Sequence, residues 1–174
     1  YVAMASGAEH KLNAAAISSE KAISENLKKL ETLSPDDSKD IQLLIDTYGA
    51  IITAINSQLS DTASALLPLS NNLTAAKGSD TTTAAKTALK KAVDDVTAAE
   101  TEATTAGKIK VTAKSGAADR DAYYTACKNA IAAYQTAIAS EKVAAEAAKA
   151  VADSADQTTL KDALMQVYTE NDID

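Results

Sequence analysis

Apolar side chains between residues 41 and 69 recur at spacings that alternate between four and three. Because an α-helix completes a turn in 3.6 residues, this alternation places them on one face of a helix. The pattern returns between residues 85 and 106, now mostly alanine, and between residues 123 and 151. The pattern therefore predicts three long helices, with apolar faces Ile41, Ile45, Tyr48, Ile52, Ile55, Leu59, Thr62, Leu66 and Leu69; Ala85, Leu89, Ala92, Val96, Ala99, Ala103 and Ala106; and Tyr123, Cys127, Ala130, Ile131, Tyr134, Ala137, Ile138, Ala144, Ala148 and Val151.

An earlier helix is predicted upstream from the positions Leu12, Ala15, Ala16, Ile23, Leu27, Leu30 and Leu33. It ends before Pro35, since a residue that precedes proline is disfavoured in helical geometry. Ser34 and Pro35 predict the start of the next helix, as a cap and a first helical residue. Asp36 and Asp37 favour the positive end of its dipole. Pro68 predicts its end, although a helix can bend at proline and continue for a turn.

The connections are predicted from polar and glycine-containing stretches. "LSNNLTAAKGSD" connects the second and third helices, and "KIKVTAKS", between Gly107 and Gly116, forms an exposed loop or small hairpin. Gly49 lies inside a helix, which costs about 1 kcal/mol relative to alanine, so we expect another backbone to approach it closely. "SADQ" near residue 154 has the order of a capping box and predicts a short last helix that holds Leu160, Leu164 and Val167.

The predicted fold is all-α: an elongated antiparallel helical bundle of two long helical hairpins plus a short C-terminal helix. Residues 1–174 form a single domain, in which residues 1–6 resemble a remnant of cloning and residues 170–174 begin a C-terminal linker. Alanine lets helix axes approach closely but buries little apolar area, so the contacts must be repeated over length. A helix of about 33 residues is about 50 Å long, and a few such helices side by side are about 20 to 25 Å across. We therefore expect a rod.

Net charge excludes some classes of partner. The chain carries a net charge of −7 and contains neither Phe nor Trp, whereas nucleic-acid binding needs a basic surface with stacking aromatic residues. Its polar faces are rich in Ser, Thr, Asp and Glu, so anionic lipid is also disfavoured. No apolar run approaches the roughly 20 residues that cross a bilayer. We expect neither nucleic-acid nor direct membrane binding.

Enzymatic chemistry has few candidates, and we predict no catalytic, cofactor-binding or metal-binding residue. His10 is the only histidine and has no nearby partner for a metal site. Cys127 falls on an apolar helix face and is predicted to be a small buried hydrophobe. The paired acids lack the glycine and distal glutamate of a calcium loop and are predicted to cap helices or face solvent; they are Asp36–Asp37, Asp94–Asp95, and Asp119 with Asp121.

One modification site is predicted from a short motif. Asn72, Leu73 and Thr74 match the acceptor sequence for N-glycosylation and fall in the predicted connection after Pro68. The motif indicates a glycan on Asn72 if the chain is secreted.

Three stretches carry a resemblance to a known family: "NAAAISSEKA", "TAAKTALKKAVDDVTAAETEATTAG" and "TAIASEKVAAEAAKAVADSAD". In composition and helical layout they resemble the alanine-rich surface proteins of African trypanosomes, namely the glutamic acid/alanine-rich protein and its relatives. The resemblance covers most of the chain and includes no diagnostic motif.

The resemblance implies a non-enzymatic coat protein at the extracellular face of the cell membrane. It implies secretion, a glycosylphosphatidylinositol lipid anchor beyond residue 174, and dense packing against neighbouring copies. We expect either "KIKVTAKS" or "LSNNLTAAKGSD" at the membrane-distal tip, open to antibodies or to a host or vector ligand. The alternative from another class is a helical-bundle carrier of a lipid or other small apolar ligand, with a slot lined by Tyr48, Ile52, Tyr134 and Ile138. A bacterial sensor or adhesin bundle is a third possibility.

Overall fold

The computed structural model describes the backbone of residues 14–75 and 80–154, and the side chains of residues 18–67, 69–71 and 83–151. Within these ranges the chain is all-α. Helix α1 spans Ala14–Leu30, α2 spans Ile41–Ala75, α3 spans Asp80–Lys108 and α4 spans Ala117–Ser154. At 35 and 38 residues, α2 and α4 are about 52 and 57 Å long.

The alternating seams form the core. In α3 every seam position from Ala85 to Ala106 is at most 3% exposed, and in α2 every seam position after Ile41 is buried. The predicted seam of α4 is buried throughout, except that Ile138 is half-buried. In α1, Ile23 is buried, whereas Leu27 and Leu30 are half-buried. The predicted Leu12, Ala15 and Ala16 lie outside the described side chains.

The closest helix pairing joins α3 to α4, and α2 packs along both α1 and α3. Side chains on the seam between α3 and α4 are mostly alanine, so the two helices meet over nearly their whole length. Because α2 is shared between two neighbours, the division into two separate hairpins stays a prediction. The assignment of residues 1–174 to a single domain also stays a prediction. The predicted helix with Leu160, Leu164 and Val167 lies outside the described residues.

Both predicted boundaries of α2 differ from the observed ones. The helix begins at Ile41, six residues after Pro35. Asp37 turns the chain here: its carboxylate accepts the Lys39 amide at 2.8 Å and its carbonyl accepts the Ile41 amide at 3.0 Å. Ser34 caps no helix; its backbone amide instead donates to the carboxylate of Asp40 at 2.9 Å.

At its other end α2 continues through Pro68 to Ala75. The helix therefore includes most of the stretch that the sequence predicted as a connection, and only residues 76–79 separate α2 from α3. Proline lacks an amide hydrogen, yet a long helix packed on a core tolerates one such loss. Leu66 and Leu69, which flank Pro68, are both buried and hold the helix against the core.

The remaining connections are short. "KIKVTAKS" forms the loop between α3 and α4, as predicted, with a turn in which the Ser115 amide donates to the Thr112 carbonyl at 3.0 Å. The expectation for Gly49 is wrong: a Cβ placed there would lie 3.6 Å from the hydroxyl of Tyr123, which is an ordinary contact with a side chain and not with another backbone.

The alanine seam makes a testable prediction through two adjacent residues of α3. Ala99 is fully buried, whereas Ala98 is exposed. We expect Ala99→Leu to lower the free energy of unfolding by about 1 to 3 kcal/mol, because extra methylenes must push α3 from its neighbours. Ala98→Leu should change it by less than about 0.5 kcal/mol. Urea denaturation of both variants measures this, and equal effects would show that the seam is not closely packed.

Candidate functional site

A groove separates α1 from α4. Helix α1 rests on α2, and two adjoining clefts of about 490 and 390 Å³ run along its other side. The two clefts share the lining residues Leu27, Glu31 and Gln135. We call the continuous feature the α1–α4 groove; its lining is Glu20, Ile23, Ser24, Leu27, Lys28, Leu30, Glu31, Tyr48, Lys128, Ile131, Ala132, Tyr134, Gln135, Ile138 and Lys142.

The groove follows from the distribution of large side chains on α4. The face toward α3 carries small residues such as Ala130, Ala137 and Ala144, all fully buried. The face toward α1 carries Tyr134 and Ile138. Larger side chains keep helix axes farther apart than alanine does, so α4 closes on α3 and leaves the groove on its other side.

Three of the four residues predicted to line an apolar slot lie in this groove. Tyr134 and Ile138 line the larger cleft, and Tyr48 lines the smaller one. Ile52 does not: it is buried toward α3, where its methyl group is 3.7 Å from a Cβ built on Gly107. Sequence reasoning missed the α1 wall, although Ile23 and Leu27 are four residues apart on one helical face.

Charged residues form the rim of the groove. Lys28 stands on the α1 side, and Lys128 and Lys142 stand on α4. Two ion pairs on α3, Lys90–Asp94 and Lys91–Asp95, lie away from the groove. Of the two acids in the lining, Glu20 accepts a hydrogen bond from Gln58 at 3.3 Å.

A tyrosine cluster fills the end of the bundle beside the groove. Tyr48 stacks on Tyr124 with ring centroids 5.7 Å apart, and meets Tyr123 edge-on at 6.4 Å. The Tyr123 hydroxyl donates to the carbonyl of Ile45 at 3.3 Å. The Tyr124 hydroxyl is buried and has no hydrogen-bond partner among the described residues.

Burial suppresses ionisation in this cluster. Desolvation raises the pKa of Tyr48, Tyr123 and Tyr124 above their ordinary value. It also raises the pKa of the Cys127 thiol to about 11, although a hydrogen bond with Tyr123 acts in the opposite direction. Since the thiolate is the reactive form, the buried Cys127 is held in an inert state, consistent with the core role predicted for it.

A polar cluster joins α3 to α4 on the far side of α4. Lys91 donates to Asp95 at 2.6 Å and to the hydroxyl of Ser140 at 3.2 Å, and Ser140 donates to Asp95. The hydrogen bond from Lys91, followed by that from Ser140, lowers the pKa of Asp95. Lys91 is largely exposed, so the cluster lacks the desolvated base that activates a nucleophile. Its hydrogen bonds connect α3 to α4.

Two fully buried polar residues are absent from the predicted seams. Glu141 and Gln58 are both fully buried. Glu141 lies four residues after Ala137 and three before Ala144, so it occupies a seam position within the alternation of four and three. That spacing could have identified it, because a glutamate at a seam position must enter the core.

The other candidate residues are dispersed. Asp94 pairs with Lys90 at 2.7 Å on an exposed face as expected, whereas Asp95 belongs to the polar cluster. Asp119 lies in the first turn of α4. Within residues 14–75 and 80–154, no three His, Cys, Asp or Glu side chains gather as a metal site would require. His10 lies outside the described residues.

Asn72, the predicted glycosylation acceptor, lies in a helix and not in a connection. Its backbone belongs to the last turn of α2, which ends at Ala75, and its side chain lies outside the described ones. The glycan on Asn72 stays a prediction.

The fold and the groove define a class: an all-α bundle of long helices in which one pair is closed by alanine and another is separated by an apolar groove. None of the helices, over the described residues, combines the length and apolar character of a membrane span. Comparisons with protein-family models, curated proteins and solved structures find no match to this chain.

The tyrosine cluster generates a prediction from two adjacent hydroxyl groups. We expect Tyr123→Phe to lower the free energy of unfolding by about 1 kcal/mol, because it removes the hydrogen bond to Ile45. Tyr124→Phe should leave it unchanged or raise it by up to about 1 kcal/mol, since it removes a buried hydroxyl without a partner. Urea denaturation compares the two variants. An equal loss in both would mean that Tyr124 makes a hydrogen bond of similar strength.

Proposed function

We propose that this chain is a non-enzymatic coat protein that stands on end in a dense layer at the extracellular face of a cell membrane. The observation that carries the proposal is the location of the loops: residues 31–40 and 109–116 lie at one end of the bundle, and Ser154 lies at the other. Attachment through the chain beyond Ser154, by a lipid anchor, would hold both loops far from the membrane.

Contacts between helices establish this polarity. Tyr123, near the start of α4, bonds to Ile45, near the start of α2, so these two helices run parallel. Gly107, near the end of α3, lies beside Ile52, so α3 runs the opposite way. The ends of α2 and α4 therefore share one end of the bundle with the start of α3.

With attachment beyond Ser154, this polarity favours one of the two predicted tips. "KIKVTAKS" is remote from Ser154, whereas the end of α2 at Ala75 and the start of α3 at Asp80 are at the same end of the bundle as Ser154. The proposed tip is therefore formed by residues 31–40 and 109–116. Within it, Lys110 and Lys114 are exposed, as is the adjacent Lys108 at the end of α3, and all three are available to antibodies or to a host or vector ligand.

The exposed side of α3 suits a layer in which neighbouring copies of the chain pack closely without binding to one another. Thr97, Thr101 and Thr105 are exposed, and each hydroxyl donates to the carbonyl four residues earlier at 2.9 to 3.1 Å. Their donors are thus used within the helix, and the chain carries a net charge of −7, which disfavours association between copies. These features support a layer in which neighbours stand close without binding strongly.

The test uses Fab fragments on intact cells that carry the protein at its natural density. We expect Fabs raised against residues 109–116 to bind, because that loop is at the tip. Fabs raised against the exposed middle of α3, around Lys90 and Asp94, should bind little, because neighbouring copies shield the shaft. Flow cytometry measures both.

Detergent-extracted protein serves as the control and should bind both Fabs equally. The proposal fails if the Fab against the shaft binds intact cells as well as the Fab against the loop does. It also fails if only Fabs against the α2–α3 junction bind, since that result would mean that the opposite end of the bundle faces away from the membrane.

A further inference from the structure

The α1–α4 groove combines an apolar floor with basic residues on both walls. The floor is formed by Ile23 and Leu27 from α1 and by Tyr134 and Ile138 from α4. Leu27 and Ile138 remain half-buried, so the protein itself leaves part of this apolar surface open. Exposed apolar surface of this kind marks an interaction site more often than a featureless surface does.

The groove is long. On α4 it extends from Lys128 to Lys142, which corresponds to about 21 Å along a helix at 1.5 Å per residue. Its lining comes from α1, from Glu31 just after it, from α4 and from Tyr48. A single extended alkyl chain can lie along a groove of this length.

The charged residues of the groove lining favour a ligand with an anionic head group. Lys28, Lys128 and Lys142 line the groove against Glu20 and Glu31, and Glu20 is engaged by Gln58. A local excess of lysine contrasts with the net charge of −7 for the whole chain. Lysine is a compact cation that pairs with a carboxylate while its alkyl stem covers apolar surface.

We propose that the α1–α4 groove binds a long-chain fatty acid. Its alkyl chain lies over Ile23, Leu27 and Ile138, and its carboxylate is held by Lys28 and Lys128 at the end of the groove that Leu30 and Glu31 line. The site differs from the slot expected from the sequence, because α1 supplies one wall and Ile52 takes no part. It is also independent of the proposed coat function, which concerns the ends and outer faces of the bundle.

The experiment measures palmitate binding to the whole chain by isothermal titration calorimetry, with hexadecanol as the uncharged ligand of the same length. Saturable binding of one palmitate per chain is expected. Replacing two rim lysines, Lys28→Gln with Lys128→Gln, should weaken palmitate binding by about tenfold, as expected for lost charge-assisted hydrogen bonds. The same change should leave hexadecanol binding within about twofold.

A second pair of variants tests the location. Ser24 is exposed and lines the groove, whereas Ser57 is exposed on α2 and lines none of the described clefts. Ser24→Trp should fill the groove and weaken palmitate binding by at least about tenfold, and Ser57→Trp should leave it unchanged. Far-ultraviolet circular dichroism confirms that each variant is folded; since both positions are exposed, the core is untouched.

Three results would overturn the proposal. Wild-type protein that binds no palmitate in a saturable manner has no such site. Equal weakening of palmitate and hexadecanol by the lysine replacements would exclude the carboxylate contact. If sedimentation velocity shows a dimer that Ser24→Trp dissociates and palmitate does not, the groove is covered by a second copy of the chain. None of these results bears on the Fab experiment above.

Discussion

Alanine packed against small residues between α3 and α4 is the constraint on which the rest of the structure depends. Each such contact buries little apolar area, so stability requires many of them in sequence. The seam from Ala85 to Ala106 meets Ala130, Ala137, Ala144 and Ala148 over most of two long helices. A bundle built this way must be long in proportion to its width, and the proposed standing arrangement in a layer uses that length.

The same constraint determines where larger side chains can go. They are excluded from the interface of α3 with α4 and gather in two other places. Three tyrosines close the end of the bundle beside the loops. The larger residues of α4 that line the groove, Ile131, Tyr134 and Ile138, face α1 and keep it away from α4. The α1–α4 groove is thus a consequence of close packing elsewhere on α4, and it requires no special loop or insertion.

Periodicity predicted the helices and their buried faces because burial alone imposes the alternation of four and three. It failed where tertiary context overrides a local signal. Pro68 predicts a helix end, but Leu66 and Leu69 on either side are buried in the core, and the helix continues. Ser34 reads as a cap, but Asp37 and Asp40 provide the hydrogen bonds of the turn before α2. Glu141 was missed because a charged side chain is not expected at a seam position, although it is fully buried there.

The candidate groove was only partly predictable. A sequence shows which faces are apolar, so Tyr134 and Ile138 could be identified, but it does not show which two helices stay apart. That separation depends on the relative sizes of side chains on opposite faces of α4, and hence on knowing that α3 lies against the alanine face. The assignment of Ile52 to the slot was wrong for this reason: its face of α2 points toward α3.

The central claim is that alanine methyl groups of α3 and α4 touch along the whole seam. Nuclear Overhauser spectroscopy on protein labelled only at alanine methyl groups tests it directly in solution. The account predicts methyl-to-methyl cross-peaks between α3 and α4 at every level, from the pairing that includes Ala103 and Ala106 to the one that includes Ala85. Cross-peaks confined to one end, or absent throughout, would contradict it.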